Sequence, residues 1–472
     1  MAVHPAMSNL DDLLTDAHER AAQFLESLPD RPVGPRATFE ELAVALGGSL
    51  PDAPHDPAAV LADLSAALEP GLTASAGPRY FGFVTGGSLP VALAMDWLVS
   101  AWDQNTALHV MSPAMSALES CTARWILEAL GLPAESSVGF VTGAHAANIT
   151  ALAAARHEML RRARWDVEAM GLQGAPRVTV IAGEEAHSSI GAACRMIGLG
   201  SRTIVGVATD TQGRMRPEAL EWALSATSGP TIVCAQAGNV NTGACDPLVE
   251  IGELTRRSGA WLHVDGAFGL WAAVSPKYRD LVRGLADADS WTTDAHKWLN
   301  VPYDSGIVVV RHAAAHRAAM SQSAAYLIAA HGEQRDGTDW VPEASRRARV
   351  VPVYAVLRTL GRVGLAELVE RCCSLAMRMA EQLRGAPGVT ILNDVVLNQV
   401  LVRFSAPAMS SGNITDRVIA GVQAAGVCWC GGTMWAGEPA MRISVSNWRT
   451  REIDIDRSAA SILEAHSRVG GA

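Results

Sequence analysis

Nowhere does the 472-residue chain approach the roughly 20 consecutive apolar residues that a membrane-crossing helix needs. Its start, Met-Ala-Val-His-Pro, soon turns charged and shows no basic segment leading into an apolar one, so a soluble, cytoplasmic protein is expected. Basic blocks are missing too: 38 Lys and Arg stand against 48 Asp and Glu, a net charge of −10, which argues against nucleic acid and anionic membranes as partners. Eight cysteines are present, but none in a metal-binding or redox spacing. Cys428-Trp-Cys430 is one residue short of Cys-x-x-Cys, and Cys372-Cys373 falls in a helical pattern. Others sit in apolar runs such as Ile232-Val-Cys-Ala235, as reduced buried thiols do, so neither a disulfide framework nor a metal site is expected. There is no internal repeat, no low-complexity tract and no Walker pattern.

What the chain does have is enough apolar sequence for more than one core. Apolar residues make up 49% and charged residues 18%, a packed globular composition. At this length a large domain with smaller pieces is expected. Residues 9–30 place Leu10, Leu13, Leu14, Ala17, Ala21, Phe24 and Leu25 at spacings of three and four, an amphipathic helix. Helical patterns follow at 38–46 and 57–68, after a Pro- and Gly-rich linker at 29–35. These short helices lack a core of their own, so they must lie against something larger, this subunit or a partner.

An aromatic turn, Pro78-Arg-Tyr-Phe-Gly-Phe83, precedes a helix over 89–101. Between 138 and 312, short β-branched runs at 178–182, 231–235, 261–264 and 306–311 alternate with helical patterns at 146–165 and 217–226. That alternation predicts an α/β fold, a mostly parallel sheet covered on both faces, with ligands at the carboxyl ends of its strands. Beyond 352 a long helix to about 384, strands at 389–392, 399–404 and 441–445, and helices at 416–425 and from 451 read as a smaller α+β unit. The expected division is an N-terminal helical segment (1–75), a large α/β domain (76–350) and a small C-terminal domain (351–472).

Four stretches carry chemistry. In Asp294-Ala-His-Lys-Trp-Leu-Asn300 a lysine beside a histidine stands near a strand end; in a desolvated, cation-lined pocket such an amine attacks carbonyls, which makes Lys297 a Schiff-base candidate. Trp261-Leu-His-Val-Asp265-Gly-Ala-Phe268 ends an apolar strand on a carboxylate. Alone it is as readily a strand-end cap, but a buried Asp265 calls for a cationic partner, and a protonated pyridine nitrogen would be one. Gly266 and Ala267 leave room for the face of such a ring. His187, in Glu184-Glu-Ala-His-Ser-Ser189, could lie flat on an aromatic cofactor. Gly139-Phe-Val-Thr-Gly143-Ala-His-Ala-Ala-Asn148 runs from a strand into a helix, whose first amides and dipole suit a phosphate.

In this order, phosphate turn, histidine, aspartate and then lysine 32 positions later, the chain resembles the pyridoxal phosphate-dependent group II amino-acid decarboxylases, the family of aromatic amino-acid and glutamate decarboxylases. The resemblance runs from about Gly71 into the C-terminal part and is strongest at Glu185-Ala-His-Ser-Ser189, His263-Val-Asp265-Gly-Ala267, Asp294-Ala-His-Lys297-Trp and Ser345-Arg-Arg-Ala-Arg349. It implies fold type I, the aspartate aminotransferase-like fold, and decarboxylation of an L-amino acid to its amine and CO2 with pyridoxal 5'-phosphate as cofactor. It also implies roles. Lys297 would form the Schiff base, Asp265 would pair with the pyridine nitrogen and His187 would stack on the ring. Ala144, His145 and His296 would hold the phosphate, Asn241 would stand near the phenolic oxygen and Ala267 would line the ring face. Similar enzymes are homodimers whose N-terminal helices wrap the partner; this would set Phe83, Val84 and Thr85 along the substrate wall, with Asn105 and Ala107 arriving from the other subunit.

The sequence departs from the family in places. His145 stands where a small hydroxyl residue is usual, and Ala146 where the family often has Glu. The loop that closes the family's site normally carries a tyrosine thought to protonate the quinonoid carbon, yet none occurs between Tyr326 and Tyr354. His331, Arg335, Asp336 and Trp340 stand there instead, so His331 or a water takes that role, or the outcome is another carbon–carbon lyase reaction or a decarboxylating oxidative deamination. A cofactor-binding but inactive regulatory partner is the reading from a different class. The substrate is not legible: Ser75 and Ala107 occupy positions that are often bulkier in the aromatic enzymes, and Arg442 is either a strand arginine or a contact for a substrate carboxylate.

Overall fold

A computed structural model describes residues 9–322, 334–405 and 411–470. His331 of the loop lies outside the described residues. The first helices, α1 (Leu10–Ser27), α2 (Phe39–Leu46) and α3 (Pro57–Leu68), start where the sequence caps them. Thr38 and Glu41 form a reciprocal capping box on α2, and Asp56 caps α3 ahead of Pro57. None of the three buries a residue fully. Next come α4 (Pro90–Trp102) and α5 (Pro113–Leu130), with β1 (Ser137–Val141), α6 (Ala144–Arg162) and the short α7 (Val167–Met170) after them.

The strand-helix alternation then appears as expected: β2 (Thr179–Gly183), α8 (Ser188–Met196), β3 (Ile204–Val207), α9 (Pro217–Ser225), β4 (Thr231–Gln236), α10 (Leu248–Ser258), β5 (Trp261–Asp265), β6 (Ser290–Asp294), β7 (Gly306–Val310) and α11 (Ala313–Met320). Seven strands form one sheet in the order β1-β7-β6-β5-β4-β2-β3. Only β7 runs against its neighbours, pairing antiparallel with both β1 and β6. β1, β4, β5, β6 and β7 are buried along their whole length, as strands covered on both faces must be. Helix α6 crosses this sheet closely because Ala147, Ala151, Ala154 and Ala155, all fully buried, keep its inner face thin.

The C-terminal part holds α12 (Val350–Leu383), β8 (Val389–Ile391), β9 (Gln399–Phe404), α13 (Ser411–Ala425), β10 (Gly431–Trp435), β11 (Glu438–Ser444) and α14 (Glu452–Gly470). Its four strands form an antiparallel sheet in the order β10-β11-β9-β8. The predicted single helix from 352 is two helices joined at Gly361, whose φ of 56° breaks the helical backbone. Strands β3 and β10, each at a sheet edge and each containing glycine, are additions to the sequence reading. One apolar cluster extends from Phe81 through Trp291 and Trp298 to Ile462, so both sheets share a core.

Candidate active site

The carboxyl ends of the parallel strands converge on one cavity of about 240 Å³. β1 leads into Ala144 and His145, β2 into His187, β5 ends on Asp265 with Ala267 beyond it, and β6 ends on Asp294 ahead of His296 and Lys297. All seven residues singled out at these strand ends, Ala144, His145, His187, Asp265, Ala267, His296 and Lys297, line it. Two larger grooves, about 530 and 510 Å³, contain none of them.

Lys297 is one of two lysines in the chain, a scarcity that singles it out. Its Nζ lies 3.0 Å from Asp294 Oδ2. The expected cation-lined pocket is therefore corrected: the nearest charged partner of this amine is a carboxylate. Asp294 is almost wholly buried, its Oδ1 accepting the Ala144 amide at 2.5 Å and lying 3.4 Å from His296 Nε2. The first amide of α6, expected to face a phosphate, is thus bonded to Asp294. His296 Nδ1 accepts from the Ser305 amide at 3.2 Å, its ring stacks on Tyr303 at 4.3 Å, and burial lowers its pKa. Gly86 packs so tightly over the Lys297 carbonyl that a side chain there would collide with it.

Asp265 is 5% exposed, and among the described residues no basic side chain lies within ion-pair distance of it. Its Oδ2 accepts from Asn148 Nδ2 at 3.1 Å and from Ser189 Oγ at 3.4 Å; its Oδ1 accepts from the Ala267 amide at 3.2 Å. His187 Nδ1 accepts from the Ser189 amide at 3.2 Å and lies 2.8 Å from Ser189 Oγ, and desolvation lowers its pKa.

Other predicted positions lie elsewhere. Asn241 is buried beside the cavity, but its side-chain oxygen accepts from Thr433 Oγ1 at 3.0 Å, and its neighbour Val240 lines the cavity instead. Val84 is fully buried in the core, so the expected substrate wall lacks its side chain. Phe83 is 62% exposed, with its ring 5.5 Å from Trp429, and Thr85 Oγ1 lies 3.5 Å from Tyr303 Oη. Asn105 stands outside the cavity of its own chain, its Oδ1 accepting the Ala107 and Arg346 amides. Sequence reasoning missed Gln236, Val240 and Phe268, which line the cavity. Gln236 was within reach, because it ends β4 directly beside Asp265.

Residues 40–406 match the pyridoxal-dependent decarboxylase conserved domain. The chain belongs to that family. Relatives include the aromatic-L-amino-acid decarboxylase of Bacillus atrophaeus, 27% identical over 72% of this chain and 70% of that protein. Another is the phenylacetaldehyde synthase of Arabidopsis thaliana, 26% identical over 84% of each. The fold is shared with Oryza sativa TDC solved with PLP and tryptamine, at a TM-score of 0.91 and 23% identity, over 99% of this chain and all of that one. The decarboxylase is thus a fold type I enzyme of amino-acid decarboxylation that takes pyridoxal 5'-phosphate.

Its residues fit that cofactor. A buried carboxylate without a basic partner, Asp265, suits a cationic ring nitrogen. Ser305 Oγ, next to His296, is buried without a hydrogen-bond partner among the described residues. Gly143 and Gly306 touch backbone to backbone at the turn into α6, where no side chain would fit.

Proposed function

We propose that this decarboxylase converts an L-amino acid to its amine and CO2, with Lys297 as the residue that holds the cofactor and Asp265 as the partner of its ring nitrogen. The observation that carries this reading is the placement of a rare lysine and an unpaired buried carboxylate in one cavity. Bound pyridoxal 5'-phosphate supplies an electron sink for the pair left on the α-carbon when CO2 departs. Asp265 would face the ring nitrogen, and Asn148, Ser189 and the Ala267 amide fix the orientation of its carboxylate. His187, its Nδ1 tied to Ser189, offers the face of its ring to the cofactor. His145, His296 and Ser305 would face the phosphate, and the Asp294 carboxylate beside them is shared between the Ala144 amide and Lys297. Phe83 and Thr85 stand on the approach to Lys297, and Asn105 and Ala107 come from a second subunit.

A homodimer is part of this proposal. Leu10, Leu14, Phe39, Val44 and Leu50 are each more than half exposed on the N-terminal segment, an apolar surface that a second copy would cover. Sedimentation should give twice the chain mass. No helix among the described residues is long and apolar enough to cross a membrane, and all eight cysteines are free. Both features support a cytoplasmic enzyme. The proposed division is into residues 1–75, 76–350 and 351–472, with the cavity in the central part.

A second reading, in which dioxygen and water convert the amino acid to an aldehyde, CO2, ammonia and hydrogen peroxide, is favoured by one feature: described residues 334–340 contain no tyrosine. The deciding experiment is product analysis across the proteinogenic amino acids. Amine with equimolar CO2 supports the first reading; aldehyde with ammonia and peroxide supports the second. The panel must include aromatic and acidic substrates. Phe83 and Trp429 offer an aromatic face, while Arg442 donates only to the Val240 carbonyl at 3.5 Å and has no carboxylate within ion-pair distance among the described residues.

A further inference from the structure

Behind Asp265 lies a chain of buried hydrogen bonds that the cavity itself does not display. Asn148, on the second turn of α6, is fully buried and uses every polar atom of its side chain. Its Nδ2 donates to Asp265 Oδ2 and to Ser189 Oγ, both at 3.1 Å. Its Oδ1 accepts from Thr292 Oγ1 and lies 2.9 Å from His263 Nε2. The other nitrogen of His263, Nδ1, is 2.9 Å from Ser290 Oγ, and Ser290 Oγ in turn accepts the indole N–H of Trp261 at 2.9 Å. His263, Asn148, Ser290 and Thr292 have no exposed surface.

The direction of the bonds follows from the carboxylate end. A carboxylate oxygen accepts, so the NH2 group of Asn148, which can only donate, faces Asp265 and its Oδ1 faces His263. His263 then donates from Nε2 to Asn148 Oδ1, and its bare Nδ1 accepts from Ser290 Oγ, which takes the Trp261 indole N–H on a lone pair. Were the amide reversed, its carbonyl oxygen would face the carboxylate and its NH2 the Nε2 proton, two repulsive contacts in a dry interior.

We propose that His263, two residues before Asp265 on β5, is a positioning residue for the cofactor's ring nitrogen and acts through Asn148. This rests on the reading that Asp265 pairs with that nitrogen. The relay sets one rotamer of the Asp265 carboxylate and delivers only dipoles to it. Burial pushes the His263 pKa down to about 4, so at neutral pH His263 does not place a cation behind Asp265 to compete with the ring. A lysine or a protonated histidine at that place would neutralise the carboxylate from the wrong side.

The test compares His263→Phe with His263→Gln in the full-length chain, reading the dissociation constant of pyridoxal 5'-phosphate by equilibrium dialysis and the melting temperature before cofactor is added. Phe keeps the ring volume and loses the donor; Gln keeps a donor near the Nε2 position and loses the ring. The relay requires H263F to weaken cofactor binding about ten- to a hundred-fold and H263Q to stay within about three-fold of the parent. A packing role predicts the opposite order, or a lower melting temperature with unchanged affinity, and either result overturns the proposal. Asn148→Ala removes the donor to Asp265 by truncation instead, so the test stands even where H263F does not fold. Asp265→Asn separates the two claims. Weak binding in D265N with normal binding in H263F and N148A removes the relay alone, whereas normal binding in D265N removes the Asp265 reading on which it rests.

Discussion

Asp294 Oδ1 accepts the backbone N–H of Ala144 at 2.5 Å, joining the end of β6 to the start of α6 across 150 residues of chain. The other oxygen of the same carboxylate holds Lys297 Nζ at 3.0 Å. One buried carboxylate thereby fixes both the position of the Lys297 amine and the first turn of the helix that carries Asn148. Replacing it separates the two tasks. Asp294→Ala leaves the Ala144 amide buried without an acceptor and should cost about 1–3 kcal/mol of stability by chemical denaturation. Asp294→Asn, which keeps an oxygen for that amide, should cost less.

Lys297→Ala should abolish CO2 release from every amino acid and let the cofactor be removed by dialysis, with loss of the visible absorbance of the holoenzyme. The other lysine, Lys277, borders a separate groove and cannot replace it. A Lys297→Ala enzyme that released CO2 at the parent rate would sink the proposed chemistry.

Glu119 on α5 should be a costly ionic group to remove. It pairs with Arg335 Nε at 3.0 Å and Arg346 Nη2 at 2.8 Å, with side-chain exposures of 3%, 11% and 1% for Glu119, Arg335 and Arg346. Glu119→Ala leaves two buried guanidinium groups without their carboxylate, a loss of about 3–5 kcal/mol. Urea denaturation measures it, and a loss under about 1 kcal/mol would show that the triad contributes little.

Acid should weaken the fold through buried histidines. Desolvation lowers His263 to about 4 and His316 to about 3, while in the unfolded chain both titrate near their ordinary value of about 6.5. Between these limits the unfolded state binds more protons. Stability is therefore complete above about 6.5 and falls as pH drops, by about 1.4 kcal/mol per pH unit for each histidine. Asp246 opposes this, since burial raises its pKa to about 6 and its contribution grows as pH falls below that value. The expected net result is a fall in urea stability from pH 7 to pH 5, flatter in His316→Asn. An unchanged slope in that variant would count against the assignment to His316.

Much of this protein could be read from local chemistry. The boundaries of α3, residues 57–68, came out as expected because Asp56 and Pro57 signal the start within the segment itself. β4 and β5 were legible as β-branched runs, while β3 and β10 were not, because edge strands with glycines carry little alternation. That Lys297, Asp265 and His187 would meet was legible because each follows a strand, where motif order survives in sequence, and the three do line one cavity.

Pairings between distant elements had to wait for the tertiary structure. That Asn148 orients Asp265, that Asp294 takes the amide of Ala144, that Asn241 turns to Thr433 and that Val84 packs into the core all depend on which element lies against which. Periodicity assigns a residue to a face of its own helix or strand. The close approach of α6 to the sheet, allowed by its buried alanines, decides which partner that face meets.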